Sequence, residues 1–297
     1  MRKTTSLQLV MGKSMAFVCL MAIGMLFQGQ VAMAQLPVSG AVLHLDAAVV
    51  TTDGSGNVTN WDNQVAGAPA ETNFGLPSSP VNPGPITVNA SAFPAGTPGV
   101  TFGVQGAARL ESGDWMDYDS GFTIFAVVDG DSCCTGGGSI FIGEVGVTNK
   151  MGFNLHGSTD TVNLYARNDG NTLSFIGGTN LDGGAPTVFT ARLDTTAGSE
   201  LLELYQDGIF QISDTGAYGT VDNPAIQARI GADFATSSTF MVGDIGEVVY
   251  FDRPLNPTEM GQMQTYLNNK HIVPEPSAGV LLLLAGLALF GRRWRRG

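Results

Sequence analysis

Carboxylates and aromatic rings crowd one short stretch of this 297-residue chain: Glu111, Asp114, Asp117 and Asp119 stand among Trp115 and Tyr118. Two chemistries suit these residue types. Asp114 and Asp117 could give oxygen ligands to calcium, which takes six to eight. Trp115 and Tyr118 could form an aromatic platform for a sugar. The plainer reading is a solvated loop ahead of the strand at 122–128, with Trp115 packed on the core. Asp53, Ser55 and Asn57 alternate oxygen-bearing side chains around glycines, a second calcium-type pattern. It is not a full EF-hand, because the twelfth position from Asp53 is Gln64 and not Glu. A hairpin turn accounts for the same residues. His44, His156 and His271 share no close ligand-type spacing, so each reads as a packed or hydrogen-bonded histidine. No Gly-x-Ser-x-Gly turn announces a serine nucleophile. Triad members need not be adjacent, so spacing leaves that chemistry open. Cys133 and Cys134 are neighbours. Adjacent Cα atoms lie about 3.8 Å apart, below the usual disulfide range of about 4.4 to 6.8 Å. A strained vicinal disulfide, two thiols and a link to another chain all stay open. No cofactor is expected beyond calcium, and no catalytic residue is assigned.

The elements that position these residues read as strands. Alternating or β-branched runs fall at 42–46, 123–128, 139–143, 162–166, 187–193 and 246–251, bounded by Gly, Asn, Asp and Ser. The clearest hairpin pairs 201–205 with 209–212 through Gln206-Asp207-Gly208, where Asp-Gly suits the positive φ angles of a tight turn. One helix is expected near the end of the body. Asn256 caps it, Pro257 takes its first position and Glu259 completes a capping box. Met260, Met263, Tyr266 and Leu267 recur at helical spacing. Residues 67–98 hold most of the body's prolines, including Pro77, Pro80, Pro83, Pro85, Pro94 and Pro98. Proline removes ladder donors, so this region reads as a long loop or an edge wrapping the sheets. The fold class is therefore all-β: an antiparallel two-sheet jelly-roll sandwich with one short C-terminal helix.

Both ends carry targeting signals. Arg2, Lys3 and Lys13 precede and flank an apolar run at 15–27, and Ala32-Met33-Ala34 supplies the small residues a signal peptidase reads, placing cleavage before Gln35. The tail reads Val273-Pro274-Glu275-Pro276, then an apolar helix at 278–291, then Arg292, Arg293, Arg295 and Arg296. The arginines hold their end on the cytoplasmic side of a membrane. A segment this short reaches about 20 Å across a core about 30 Å thick, so it is a weak permanent anchor. The organisation is a signal peptide at 1–34, one domain at 35–273 and a sorting tail at 274–297. Without both ends the net charge falls from −12 to −18, with 7 basic against 25 acidic residues. Nucleic-acid binding is excluded as a function class, because phosphate recognition needs clustered Lys and Arg.

The tail resembles the PEP-CTERM sorting signal of Gram-negative bacteria in all three of its parts. The resemblance implies transient residence in the inner membrane, processing by an exosortase-type enzyme near Pro-Glu-Pro, and delivery to the cell surface or the exopolysaccharide matrix. The body is similar to concanavalin A-like (laminin G-like) jelly rolls. The likeness rests on Leu43-His44-Leu45-Asp46-Ala47-Ala48 with Asp53 to Asp62 at the start, and on 243–256 with the following helix at the end. It implies two stacked antiparallel sheets and no particular ligand. Glycosidases on that fold use a Glu-x-Asp-x-x-Glu strand of paired carboxylates, and this chain has no such run. Glu247, on the closing strand, is accordingly read as structural. A non-enzymatic, carbohydrate-associated surface protein is thus expected over a carbohydrate-active enzyme, with polysaccharide and the exosortase-type enzyme as partners.

Overall fold

The structure, a computed structural model, describes residues 35–77, 85–103, 108–130, 138–145, 149–156, 161–168, 171–177, 185–196, 200–216, 225–232 and 241–274. In chain order its strands are β1 (Leu43–Asp46), β2 (Val50–Thr52), β3 (Val58–Trp61), β4 (Phe74–Gly75), β5 (Ile86–Asn89), β6 (Gly99–Phe102), β7 (Leu110–Met116), β8 (Phe122–Gly130) and β9 (Gly138–Val145). Then follow β10 (Asn149–His156), β11 (Thr161–Asn168), β12 (Asn171–Gly177), β13 (Thr187–Asp194), β14 (Glu200–Gln206), β15 (Ile209–Gly216), β16 (Ile226–Ile230) and β17 (Gly243–Phe251). One α-helix, α1 (Pro257–Leu267), runs into a π-helical turn at Asn268–Ile272.

The strands form two antiparallel sheets. Sheet one runs β15-β14-β13-β8-β17-β6-β5, with β1 also paired to β17. Sheet two runs β12-β11-β10-β9-β16-β7-β4-β3-β2. Side chains alternate across a strand, so one face of each sheet supplies the core between them. Phe122, Ile124, Ala126 and Val128 of β8 join Phe141, Met151, Phe153 and Leu164 there. Aromatic rings cross the gap: Phe153 meets Phe189 edge-on at 6.0 Å, and Phe141 stacks on Tyr250 at 6.2 Å. The alternate residues of sheet one, Phe125, Val127, Val249 and Phe251, are buried as well. α1 and the turn after it lie across that outer face. Gln264 stands against Gly208 in the β14–β15 turn, and Lys270 and His271 reach Glu247 on β17.

The Asp207-Gly208 hairpin forms where expected, with φ of 52° and 78° at its two residues. So does the helix: Asn256 accepts from the Thr258 and Glu259 backbone N–H groups, and the Glu259 carboxylate accepts from the Asn256 N–H. The proline-rich region is not all loop. It supplies β4 and β5, the latter on the edge of sheet one where missing donors are tolerated; Pro80 and Pro83 lie outside the described residues. The stretch read as a loop at 111–119 is corrected: residues 110–116 are strand β7. Its pairing with β16 shifts register twice, and polar Ser112 and exposed Asp114 stand between Leu110 and Met116, so the apolar alternation that marks a strand in sequence is missing. Among the described residues no helix is long and apolar enough to cross a membrane. The signal segment with Ala32 and Ala34, the tail from Glu275 on, and Cys133 and Cys134 lie outside the described residues.

Candidate functional site

The outer face of sheet one carries a buried cluster of charge. β1 and β17 pair with Asp46 opposite Glu247, and alternation turns His44, Asp46 and Glu247 to the same side. The π-helical turn brings Lys270 and His271 over them. An extra residue in a helical turn of this kind re-aims side chains and recurs at functional sites. Glu247 has no exposed surface. Its Oε1 accepts from His44 Nε2 at 2.8 Å, and its Oε2 accepts from Lys270 Nζ at 2.6 Å and His271 Nε2 at 2.9 Å. Lys270 Nζ also donates to Asp46 Oδ2 at 2.7 Å. Burial by itself would push the Glu247 carboxyl up. Hydrogen bonds from His271 and His44 and the charge of Lys270 outweigh it and hold the group well below the usual range. Burial would likewise lower Lys270, but Glu247 and Asp46 hold it above an ordinary lysine.

Two chemistries can be tested on this geometry. His44, Asp46 and Glu247 present ligand atoms within 4.8 Å of one another, the donor set of a metal site. The Lys270 ammonium already stands between Asp46 and Glu247, where a cation would bind. Thr97 Oγ1, His271 and Glu247 also make a hydroxyl–imidazole–carboxylate chain, with Thr97 2.8 Å from His271 Nδ1. That is the order of a nucleophilic triad. Here the two inner members are closed off, with Thr97 half-buried: His271 has no exposed surface, the Phe93 ring stands edge-on to it at 5.3 Å, and Glu247 already receives three donors. The cluster works as a clamp that ties the end of the domain to β1 and β17.

Tyr266 links the clamp to the surface. Lys270 Nζ donates to its hydroxyl at 3.3 Å and lies 5.6 Å from its ring centroid. The phenol is pushed up to about 12, first by burial and then by Glu247, so it stays protonated. The same residue lines an open groove of about 460 Å³ with Pro37, Thr258, Gly261, Gln262, Thr265 and Asn269.

The residues singled out in sequence lie elsewhere. Tyr118 is 2% exposed and has no ring face to offer; its hydroxyl donates to the Arg167 carbonyl at 3.3 Å. Trp115 is half-buried, edge-on to Tyr250 at 5.5 Å, with its indole N–H on Ser112 Oγ. Asp114 and Asp117 are exposed. Glu111 is paired with Arg109 and Arg229. Asp53, Ser55 and Asn57 form an exposed turn in which the Asp53 carboxylate accepts from the Ser55 and Asn57 N–H groups and the Asn57 amide. Those bonds, that of the Asn57 side chain first, lower its pKa. Sequence spacing missed the convergence of His44, Glu247, Lys270 and His271. One signal was present: Glu247 is the one carboxylate inside the otherwise apolar run 245–251 of β17.

No protein-family model matches the chain, and no curated protein matches it. Solved structures do. Domain 4 of AbnA, a GH43 extracellular arabinanase from Geobacillus stearothermophilus in complex with arabinotriose, aligns at 12% identity with a TM-score of 0.50, over 76% of this chain and 98% of that domain. A Trypanosoma rangeli sialidase in complex with sialic acid aligns at 13% identity and TM-score 0.53, over 80% of this chain and 35% of the sialidase. This chain therefore spans about a third of the sialidase's length. At such identities the likeness is one of fold alone: a two-sheet antiparallel β-sandwich.

Proposed function

We propose that this protein is an exported, non-enzymatic module of the cell surface or exopolysaccharide matrix that associates with carbohydrate. The observation that carries the reading is the burial of Glu247. General acid–base work needs a carboxylate that can reach substrate and exchange a proton. Glu247 is sealed, held ionised and bonded to three donors. The arabinotriose-bound domain, which this chain spans almost fully, supports carbohydrate as the ligand class. The tail supports export and sorting: the helix and its turn end at Val273, which is half exposed where the Pro-Glu-Pro link begins. In this reading the link is cut by an exosortase-type enzyme after transient residence in the inner membrane.

The full chain incubated with β-glucan, galactan, arabinan and the host's exopolysaccharide is expected to release reducing ends at background. Turnover that disappears in Glu247→Gln would establish the alternative, a carbohydrate-active enzyme. For the sorting step, protein recovered from the host's surface fraction is expected by intact mass to end within residues 273–277. Recovery only from inner membrane with residues 278–297 attached would make the tail an ordinary anchor.

A further inference from the structure

We propose that the groove along α1 is a subsite for a neutral saccharide chain, with the Tyr266 ring as its platform; this rests on the carbohydrate-binding reading above. The lining is one stripe of the helix and the turn after it. Thr258, Gln262 and Asn269 give hydroxyl and amide groups, which donate and accept as sugar hydroxyls require, while the Thr265 hydroxyl donates to the Gly261 carbonyl at 2.8 Å and can only accept. Among the described residues no charged side chain lines the groove, in a chain of net charge −12. A neutral polyhydroxyl ligand is the chemistry such a surface recognises, and the groove's volume of about 460 Å³ falls within the range of small-molecule sites.

Two features show construction beyond a solvated helix face. The first is Gly261. Glycine in a helix interior is unfavourable relative to alanine, and a Cβ there would meet nothing within 4 Å, so packing does not demand it. Its missing side chain keeps the groove open. The second is the mounting of Tyr266. Lys270 contacts both its hydroxyl and its ring, and Lys270 is itself held by Asp46 at 2.7 Å and Glu247 at 2.6 Å. A ring fixed before binding loses little freedom when a ligand stacks on it. The buried clamp thus serves as the support of a surface platform, and Lys270 is its positioning residue.

The test is native affinity electrophoresis of the full chain in detergent, through gels cast with arabinan, laminarin, xylan or galactan. Wild type is expected to be retarded in at least one gel. Gly261→Leu, which fills the groove from open space with a better helix former, is expected to weaken retardation at least tenfold while melting no lower than wild type. Tyr266→Ala should lose retardation, and Tyr266→Phe, which keeps the ring, should retain it. Retardation of wild type and Gly261→Leu alike overturns the groove and leaves the carbohydrate reading standing. No retardation of wild type in any gel overturns both.

Discussion

A carboxylate with no exposed surface keeps its charge only where donors replace the water it has lost. Glu247 has three such donors, from residues 203, 24 and 23 positions away along the chain. That separation is why the cluster could not be read from spacing, although a lone Glu in an apolar strand marked one member. Removing one partner of a buried ion pair strands the other, so Glu247→Gln is expected to destabilise the fold by about 3 kcal/mol in urea denaturation. The pH dependence follows from the direction of the shifts. Glu247 titrates lower in the folded state than its ordinary 4.5, so its contribution is complete above that value and is lost as pH falls below it. Lys270 titrates higher than its ordinary 10.5, so its contribution is complete below that value and is lost as pH rises through its folded range. The stability gap between wild type and Glu247→Gln should therefore be at its full size near neutral pH and shrink in acid. A gap that stays constant down to pH 2 would contradict the clamp.

Elements with local signals were legible; those made by distant pairing were not. α1 starts at Pro257 and ends at Leu267 as its cap and apolar spacing indicated. The Asp207-Gly208 hairpin also forms from local chemistry, and Asp207 Oδ1 accepts from the Val188 N–H at 3.0 Å to tie it to β13. By contrast β7 reads as a loop, because the face that carries buried Leu110 and Met116 holds Ser112 and exposed Asp114 between them, so no apolar alternation shows in the sequence. The π-helical turn has no sequence signature at all; it is the segment that carries Lys270 and His271 onto Glu247. The cap carries the prediction at this scale. Asn256→Ala removes acceptors for two backbone N–H groups and is expected to cost about 1 kcal/mol. Arg253, paired with Glu259 at 2.8 Å, steadies the same end of α1. Chemical denaturation measures the loss, and a value indistinguishable from zero would show that tertiary contacts alone hold the helix.

At the scale of the whole molecule, turn residues and short apolar runs indicated two antiparallel sheets, and the sheets are there. The surface proposed here for the ligand was not indicated. Trp115 and Tyr118 look like a sugar platform in sequence because aromatic residues beside acids suit one, yet Tyr118 is consumed by the core and Trp115 packs against Tyr250. The groove on α1 instead uses Thr, Gln and Asn side chains that read as an ordinary solvated helix face. In the proposed function the sandwich carries carbohydrate contacts, with its buried charge used for support and not for bond cleavage. A glycan array probed with the full chain tests this most directly. Saturable retention on at least one neutral polysaccharide, with the spotted glycan left intact, is the predicted result; an array on which no glycan retains the protein above blank would contradict it.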